Sequence, residues 1–109
     1  YPNIWQETSC ISLMEAMSAG LFCIHPNYGA LYETASNWTW MYQWQDSIRD
    51  HAKMFYELTS NAIRMYNHED TQKTLQAQKA YIDAFYGWQN RKNQWTNLLM
   101  TLLQEHRRI

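Results

Sequence analysis

The sequence predicts an α/β chain, mostly helical with one to three short parallel strands, and three observations lead there. Leu21-Phe22-Cys23-Ile24-His25 is a short run that is apolar on both faces, the habit of a strand covered on both sides in a parallel sheet. A helix closed by Gly20 comes directly before it, so loop, helix, glycine and strand follow one another as in half a turn of a doubly wound sheet. Beyond residue 45 the apolar residues fall at helical spacing to the end. One firm strand cannot complete a parallel sheet, and the chain opens at Tyr1-Pro2-Asn3-Ile4-Trp5 without an initiator Met. The expectation is a C-terminal fragment whose earlier strands lie upstream.

Pro2 biases Tyr1 away from helix, so residues 1–8 are expected to be extended or looped. Thr8 or Ser9 caps a helix through Ala19, and Gly20 ends it where a positive φ is favoured. The strand over 21–25 stops at Pro26 and the Asn27-Tyr28-Gly29 turn. Glu33 to Asn37 reads as a polar connection, and Trp38 to Tyr42 as either a short strand or an aromatic loop. Asp46 or Ser47 caps a helix to about Tyr66, with Ile48, Ala52, Phe55, Leu58, Ala62 and Met65 three and four apart. Asn67 to Thr71 breaks and recaps the chain. The next helix carries Leu75, Ala80, Ile82 and Phe85 and ends near Gly87. Trp88 to about His106 forms the last, with Trp95, Leu98, Leu99, Leu102 and Leu103 on one stripe.

Composition narrows the classes of function. Apolar residues make up 46 % of the chain, enough for a core and too many for disorder. Charged residues, at 17 %, fall below the roughly 25 % of an average domain. Six Trp, eight Tyr and three Phe take their place, and such residues pack cores and interfaces as readily as they meet sugars. A net charge of −1 leaves no field to steer the chain to nucleic acid or an anionic membrane. Arg107-Arg108 suits a helix C-terminus better than a lipid anchor. No apolar run spans a bilayer and no signal-peptide pattern opens the chain, so any membrane contact is expected to be peripheral. Cys10 and Cys23 make neither a metal spacing nor a disulfide framework, and read as reduced, buried thiols of a cytoplasmic protein.

Glu7 and Glu15 stand on either side of the expected helix start, with seven residues between them. Amides at a helix N-terminus have no partners within the helix and favour an anion such as phosphate. Glu15 lies two turns further in, roughly 10–12 Å on at 1.5 Å per residue. A ligand with a diphosphate in its middle and hydroxyl-bearing sugars at both ends fits that span, since each carboxylate accepts strong charge-assisted bonds from vicinal hydroxyls. Spacing alone is a weak signal, because a glutamate before a helix also simply favours the dipole.

The flanking residues add a resemblance. Tyr1-Pro2, Glu7-x7-Glu15 and Glu15-Ala16-Met17-Ser18-Ala19-Gly20 are similar to the Glu-x7-Glu motif of GT-B glycosyltransferases, especially the retaining group 1 type. Leu21 to Ile24 resembles the apolar strand of that family, Asn27 to Glu33 its Gly-Gly-x-x-Glu loop, and Tyr86-Gly87-Trp88 the aromatic–Ser–Trp that opens its final helix. The likeness is dense over residues 1–34 and loose until about 86. It implies a Rossmann-like nucleotide-sugar-binding half over residues 1–45. Residues 46–109 are then helices that pack on it and reach toward a missing N-terminal domain.

The implied activity is transfer of a sugar from a nucleotide-diphosphate donor to a glycan or other acceptor, with no bound metal or other cofactor. Glu7 is then the catalytic residue, contacting donor-sugar hydroxyls and helping to stabilise positive charge near the anomeric carbon. Glu15 holds the ribose hydroxyls, and the backbone amides of Thr8, Ser9 and Cys10 approach sugar and phosphates. Departures matter too. Many members carry glycine after the first glutamate and at position 28, where this chain has Thr8-Ser9-Cys10 and Tyr28; the added bulk is expected to alter which sugar fits. The family's phosphate-binding Arg and Lys lie upstream of residue 1, so this stretch alone is expected to be inactive.

Other constellations are weaker. His25, His51, His68 and His106 show no ligand pairing on one helical face, and Asp50-His51 has no nucleophile beside it. Trp38 to Trp44 could stack on an acceptor sugar, but packing of helix on sheet is the preferred reading. The leucine stripe of the last helix reads as core or interdomain contact. A reading from a different class is a non-catalytic, aromatic-rich helical interaction module in which Glu7 and Glu15 are surface residues.

Overall fold

The computed structural model describes residues 1–107 and shows five helices and a two-stranded parallel sheet. Arg108, half of the basic pair at the end of the chain, lies outside the described residues. In order the elements are α1 (Ile11–Ser18), β1 (Ile24–Asn27), α2 (Leu31–Ala35), β2 (Trp40–Gln43), α3 (Ile48–Met65), α4 (Glu69–Phe85) and α5 (Trp88–Arg107). The α/β class holds at this coarse level.

Helix α1 begins later than Thr8 or Ser9. Cys10 is its N-cap, extended at φ −122° and ψ 93°, and no side chain caps the helix. Cys10 is also buried in the core, so packing of this thiol overrides the capping preference of its neighbours. The other end follows expectation. Gly20 takes φ +78°, its N–H bonds Met17 O at 3.1 Å, and the Leu21 N–H bonds Ala16 O at 3.1 Å. Those two bonds are the Schellman pattern.

Strand β1 spans Ile24–Asn27 and therefore contains Pro26, which was expected to stop it. The ladder explains the shift. Cys23 O accepts from Trp40 N at 3.0 Å, toward β2, whereas Ile24 O accepts from the Tyr1 ammonium at 2.9 Å on the other side. Alternation turns the Pro26 nitrogen to the side without a neighbouring strand, where a missing N–H costs no ladder bond. β2 pairs in parallel, Ile24 opposite Trp40 through Asn27 opposite Gln43, which settles the Trp38–Tyr42 alternative in favour of a strand. The stretch Glu33 to Asn37, expected to be a polar connection, instead begins within α2. Leu31, Thr34 and Ala35 are buried there at helical spacing, and Ser36 ends the helix at φ 54°.

Both faces of the sheet are covered. Side chains alternate along a strand, so Tyr42 looks toward α3 and meets Phe55 at 6.2 Å between ring centroids. Cys23 looks the other way, into the core of Cys10, Leu13, Met17, Leu31, Ala35 and Ile82. Helix α3 starts as expected, with Ser47 Oγ accepting from the Asp50 N–H at 3.3 Å. Its buried face is rotated from the expected stripe: His51 and Ala62 are buried, Phe55 and Leu58 half-buried, and Ile48 is 87 % exposed. The cause is the Tyr42–His51 hydrogen bond, which draws His51 rather than Ile48 to the sheet.

Helix α4 closes the core through Leu75, Gln78 and Ile82, whereas Ala80 and Phe85 are exposed. Gln78 is fully buried because Nε2 donates to Met17 O at 3.2 Å and Leu21 O at 2.9 Å. The first is a carbonyl of the last turn of α1, and the second belongs to the turn that follows it. Lys79 adds a bond to Ser18 O at 2.9 Å, and Ser18 Oγ donates to Asp83. α5 differs from the other long helices in that none of its described residues is buried. The stripe Trp95, Leu98, Leu99, Leu102 and Leu103 is 48–59 % exposed, so it is not core.

Met17→Ala should therefore lower the unfolding free energy by about 2–5 kcal/mol, the cost of a core cavity. Leu102→Ala should stay within about 0.5 kcal/mol. Urea titrations of the two variants against the parent chain test the contrast.

Candidate functional site

Glu15 stands on the outer face of α1, beyond the core residues Leu13 and Met17, and is exposed. With Ser9, Ile11 and Met14 it forms one wall of an open groove of about 550 Å³. The far wall comes from the α4–α5 corner, with Tyr86, Gly87, Trp88, Arg91 and Trp95. Residues some seventy positions apart meet here because Gln78 fixes α4 to the end of α1 and the chain then turns at Gly87. The Arg91 guanidinium lies 5.1 Å from the Tyr86 ring centroid and 5.8 Å from that of Phe85, within cation–π range. The groove thus pairs a carboxylate on one wall with an aromatic-held cation on the other.

Glu7 sits elsewhere. It is half-buried, and its carboxylate accepts a hydrogen bond from the Tyr1 hydroxyl, which pushes that phenol up to about 12. It does not line the Glu15 groove. Between the two glutamates, Thr8 and Ser9 are exposed and precede the helix. Of the three amides expected at the positive end of α1, only that of Cys10 belongs to it. The others are those of Ile11, Ser12 and Leu13, because the helix starts at Ile11.

The backbone of Glu7 is gripped from a second direction. Ala30 N–H donates to Glu7 O at 2.7 Å. Gly29, at φ +57°, leaves no room for a side chain: a Cβ there would lie 2.6 Å from Glu7 N and 2.8 Å from Glu7 O. The loop after β1 is therefore moulded onto the Gln6–Glu7 backbone. Gly20 also has a positive φ, but a Cβ on it would meet open space.

His25 and His51 are structural. His25 is fully buried, with Nδ1 2.9 Å from Pro26 O and Nε2 2.6 Å from Thr39 Oγ1. A carbonyl can only accept, so Nδ1 carries the proton and Nε2 accepts from the threonine. Burial holds its pKa below the usual imidazole value. Tyr42 and His51 share a 2.6 Å bond, and burial pushes the Tyr42 phenol up to about 12, so the hydroxyl stays protonated. Asp50, exposed, does not bond His51. His68 is the N-cap residue of α4, without a side-chain cap bond. Cys10 and Cys23 are free and buried, and burial raises Cys23 to about 11. Among the described residues no three His, Cys, Asp or Glu side chains come together, and no helix is long and apolar enough to cross a membrane.

Two positions around the candidate site escaped sequence reasoning. Arg91 belongs to the groove, and its signal was its place three residues after Trp88 and four before Trp95 on one helical face. Gly29 was noticed as a turn residue, but its contact with Glu7 joins segments that no local pattern links. Against known proteins, no family model, no curated protein and no solved structure matches this chain.

Two outcomes follow from this geometry. Gly20→Ala should cost about 1–2 kcal/mol, the left-handed penalty alone, and Gly29→Ala distinctly more, since backbone must move; chemical denaturation ranks them. His25 binds its proton less readily folded than unfolded, so its contribution is present above about pH 6.5 and is lost as pH falls. The melting temperature should fall between pH 7 and pH 5, and His25→Gln should flatten that slope.

Proposed function

We propose that this chain supplies part of the donor site of a glycosyltransferase that moves a sugar from a nucleotide-diphosphate donor to an acceptor. The observation that carries the reading is the meeting of three separate pieces of the sequence resemblance around one short helix. Glu7 touches the Gly29 loop through its backbone, and Glu15 faces Tyr86-Gly87-Trp88 across the groove. A chance match of short motifs gives no reason for them to be neighbours in space.

In this reading Glu15 binds the ribose hydroxyls of the nucleotide, where a carboxylate accepts two charge-assisted bonds. Trp88, 89 % exposed, and Tyr86 give that end of the groove aromatic surface. The free amides of Cys10 to Leu13 favour the diphosphate, and Arg91 adds a cation. Glu7 meets the donor sugar and stabilises charge near its anomeric carbon. Tyr1 occupies that carboxylate here, and donor hydroxyls would replace the phenol. Retention at the anomeric carbon belongs to the same proposal.

The non-catalytic interaction module has one observation in its favour, the exposed leucine stripe of α5. Nucleotide binding separates the two. In the full natural protein, UDP, GDP or ADP should raise the melting temperature. Glu15→Ala should weaken that binding by the loss of charged hydrogen bonds, about 1.5–3 kcal/mol, or roughly ten- to a hundredfold. Glu7→Ala should leave nucleotide binding intact and reduce sugar transfer. Titration calorimetry with each nucleotide, together with a transfer assay, reads all three; no binding by any of them would sink the glycosyltransferase reading.

A further inference from the structure

The chain sets one aromatic ring at the carboxyl end of each strand, Tyr28 just after β1 and Trp44 just after β2. Ligands of parallel α/β sheets bind at that end of the strands. The two rings stack face to face, with centroids 3.9 Å apart and planes 9° from parallel. Trp44 is held in turn by His51, edge-on at 5.0 Å, and His51 by the Tyr42 hydroxyl on β2. One residue beyond Tyr28, Gly29 lies against the backbone of Glu7, and Ala30 bonds its carbonyl.

We infer that the Tyr28–Trp44 stack positions Glu7, so that these two aromatics are positioning residues for the reaction. The inference rests on the proposed role of Glu7 at the donor sugar. A tyrosine at position 28 has a ring that must go somewhere. Unheld, it would swing in the loop that grips Glu7 and could enter the space over that carboxylate. Stacked on Trp44, it leaves that space clear and ties the loop to β2 and α3. The bulk at residue 28, which comparison with the resembled family marks as altering which sugar fits, becomes the anchor of the loop. A chain of contacts then runs from Tyr42 through His51, Trp44 and Tyr28 to the Glu7 backbone. Every link in it is a fixed side-chain or backbone contact.

Trp44→Ala and Trp44→Phe in the full natural protein test this, with Tyr28→Gly as a second route should the alanine variant fail to fold. Trp44→Ala should speed hydrogen exchange at the Ala30 amide at least tenfold and lower kcat for sugar transfer about tenfold or more, because small misplacements of a reacting group are costly. KM and the affinity for UDP, GDP or ADP should change less than about twofold, since Glu15 is untouched. Trp44→Phe should restore exchange and kcat toward wild type. Tyr28→Gly should free the Ala30 amide in the same way. Unchanged Ala30 exchange in both Trp44→Ala and Tyr28→Gly overturns the inference, as does a loss of kcat that phenylalanine does not rescue. Should the wild-type protein bind no nucleotide, the functional reading fails instead, and Ala30 exchange still decides whether the stack holds the loop.

Discussion

A parallel pair of strands presents two apolar faces, and the placement of every other element except α5 answers the need to cover both. α3 covers the face with Tyr42, and α1, α2 and α4 cover the face with Cys23. The alternation of side chains forces this division. It explains why the polar-looking stretch from Glu33 begins inside a helix. Leu31, Thr34 and Ala35 have a sheet face and α1 to pack against. Taken alone, five residues are too short to hold a helix in water.

The second constraint is polar. A helix leaves its last carbonyls without partners, and at the end of α1 they are met by the turn at Gly20 and by side chains of α4. Gly20 satisfies Met17 O and Leu21 satisfies Ala16 O, while Gln78 reaches from α4 to Met17 O and Leu21 O. Because a buried amide pairs only in a narrow geometry, this joint fixes the approach of α4 and hence the corner at Gly87. The groove beside Glu15 is a consequence: moving α4 along its axis would carry Tyr86, Trp88 and Arg91 away from α1.

Much of this could be read in the sequence where the determinants are local. Gly20, the Ser47 cap and the extents of α3, α4 and α5 follow from caps, breakers and spacing. The strand position did not, because Pro26 is a stop signal except where its nitrogen faces no neighbouring strand, and pairing decides that. The start of α1 and the buried face of α3 failed for a related reason. Cys10 and His51 are buried by tertiary partners, and their types favour neither choice. Of the candidate site, Glu7, Glu15 and the pieces around them were legible, whereas Arg91 and the grip of Gly29 on Glu7 depend on contacts between distant segments.

The geometry also limits how one ligand could use both glutamates. Glu15 lies on the face of α1 that carries Ile11, Met14 and Ser18. Glu7 precedes the helix and turns to Tyr1, which lines a different groove together with Ser12, Leu13 and Ala16. At 100° per residue those two faces point well apart, so no straight molecule lies along the helix and touches both carboxylates. A ligand that reaches both must bend over the N-terminus of α1, past exposed Ser9 and the amides of Cys10 to Leu13. The middle of such a ligand would sit where the helix favours an anion, and its two ends where carboxylates accept hydroxyls. That order of groups, hydroxyl-bearing, anionic, hydroxyl-bearing, is the order in a nucleotide-diphosphate sugar, the donor of the proposed reaction.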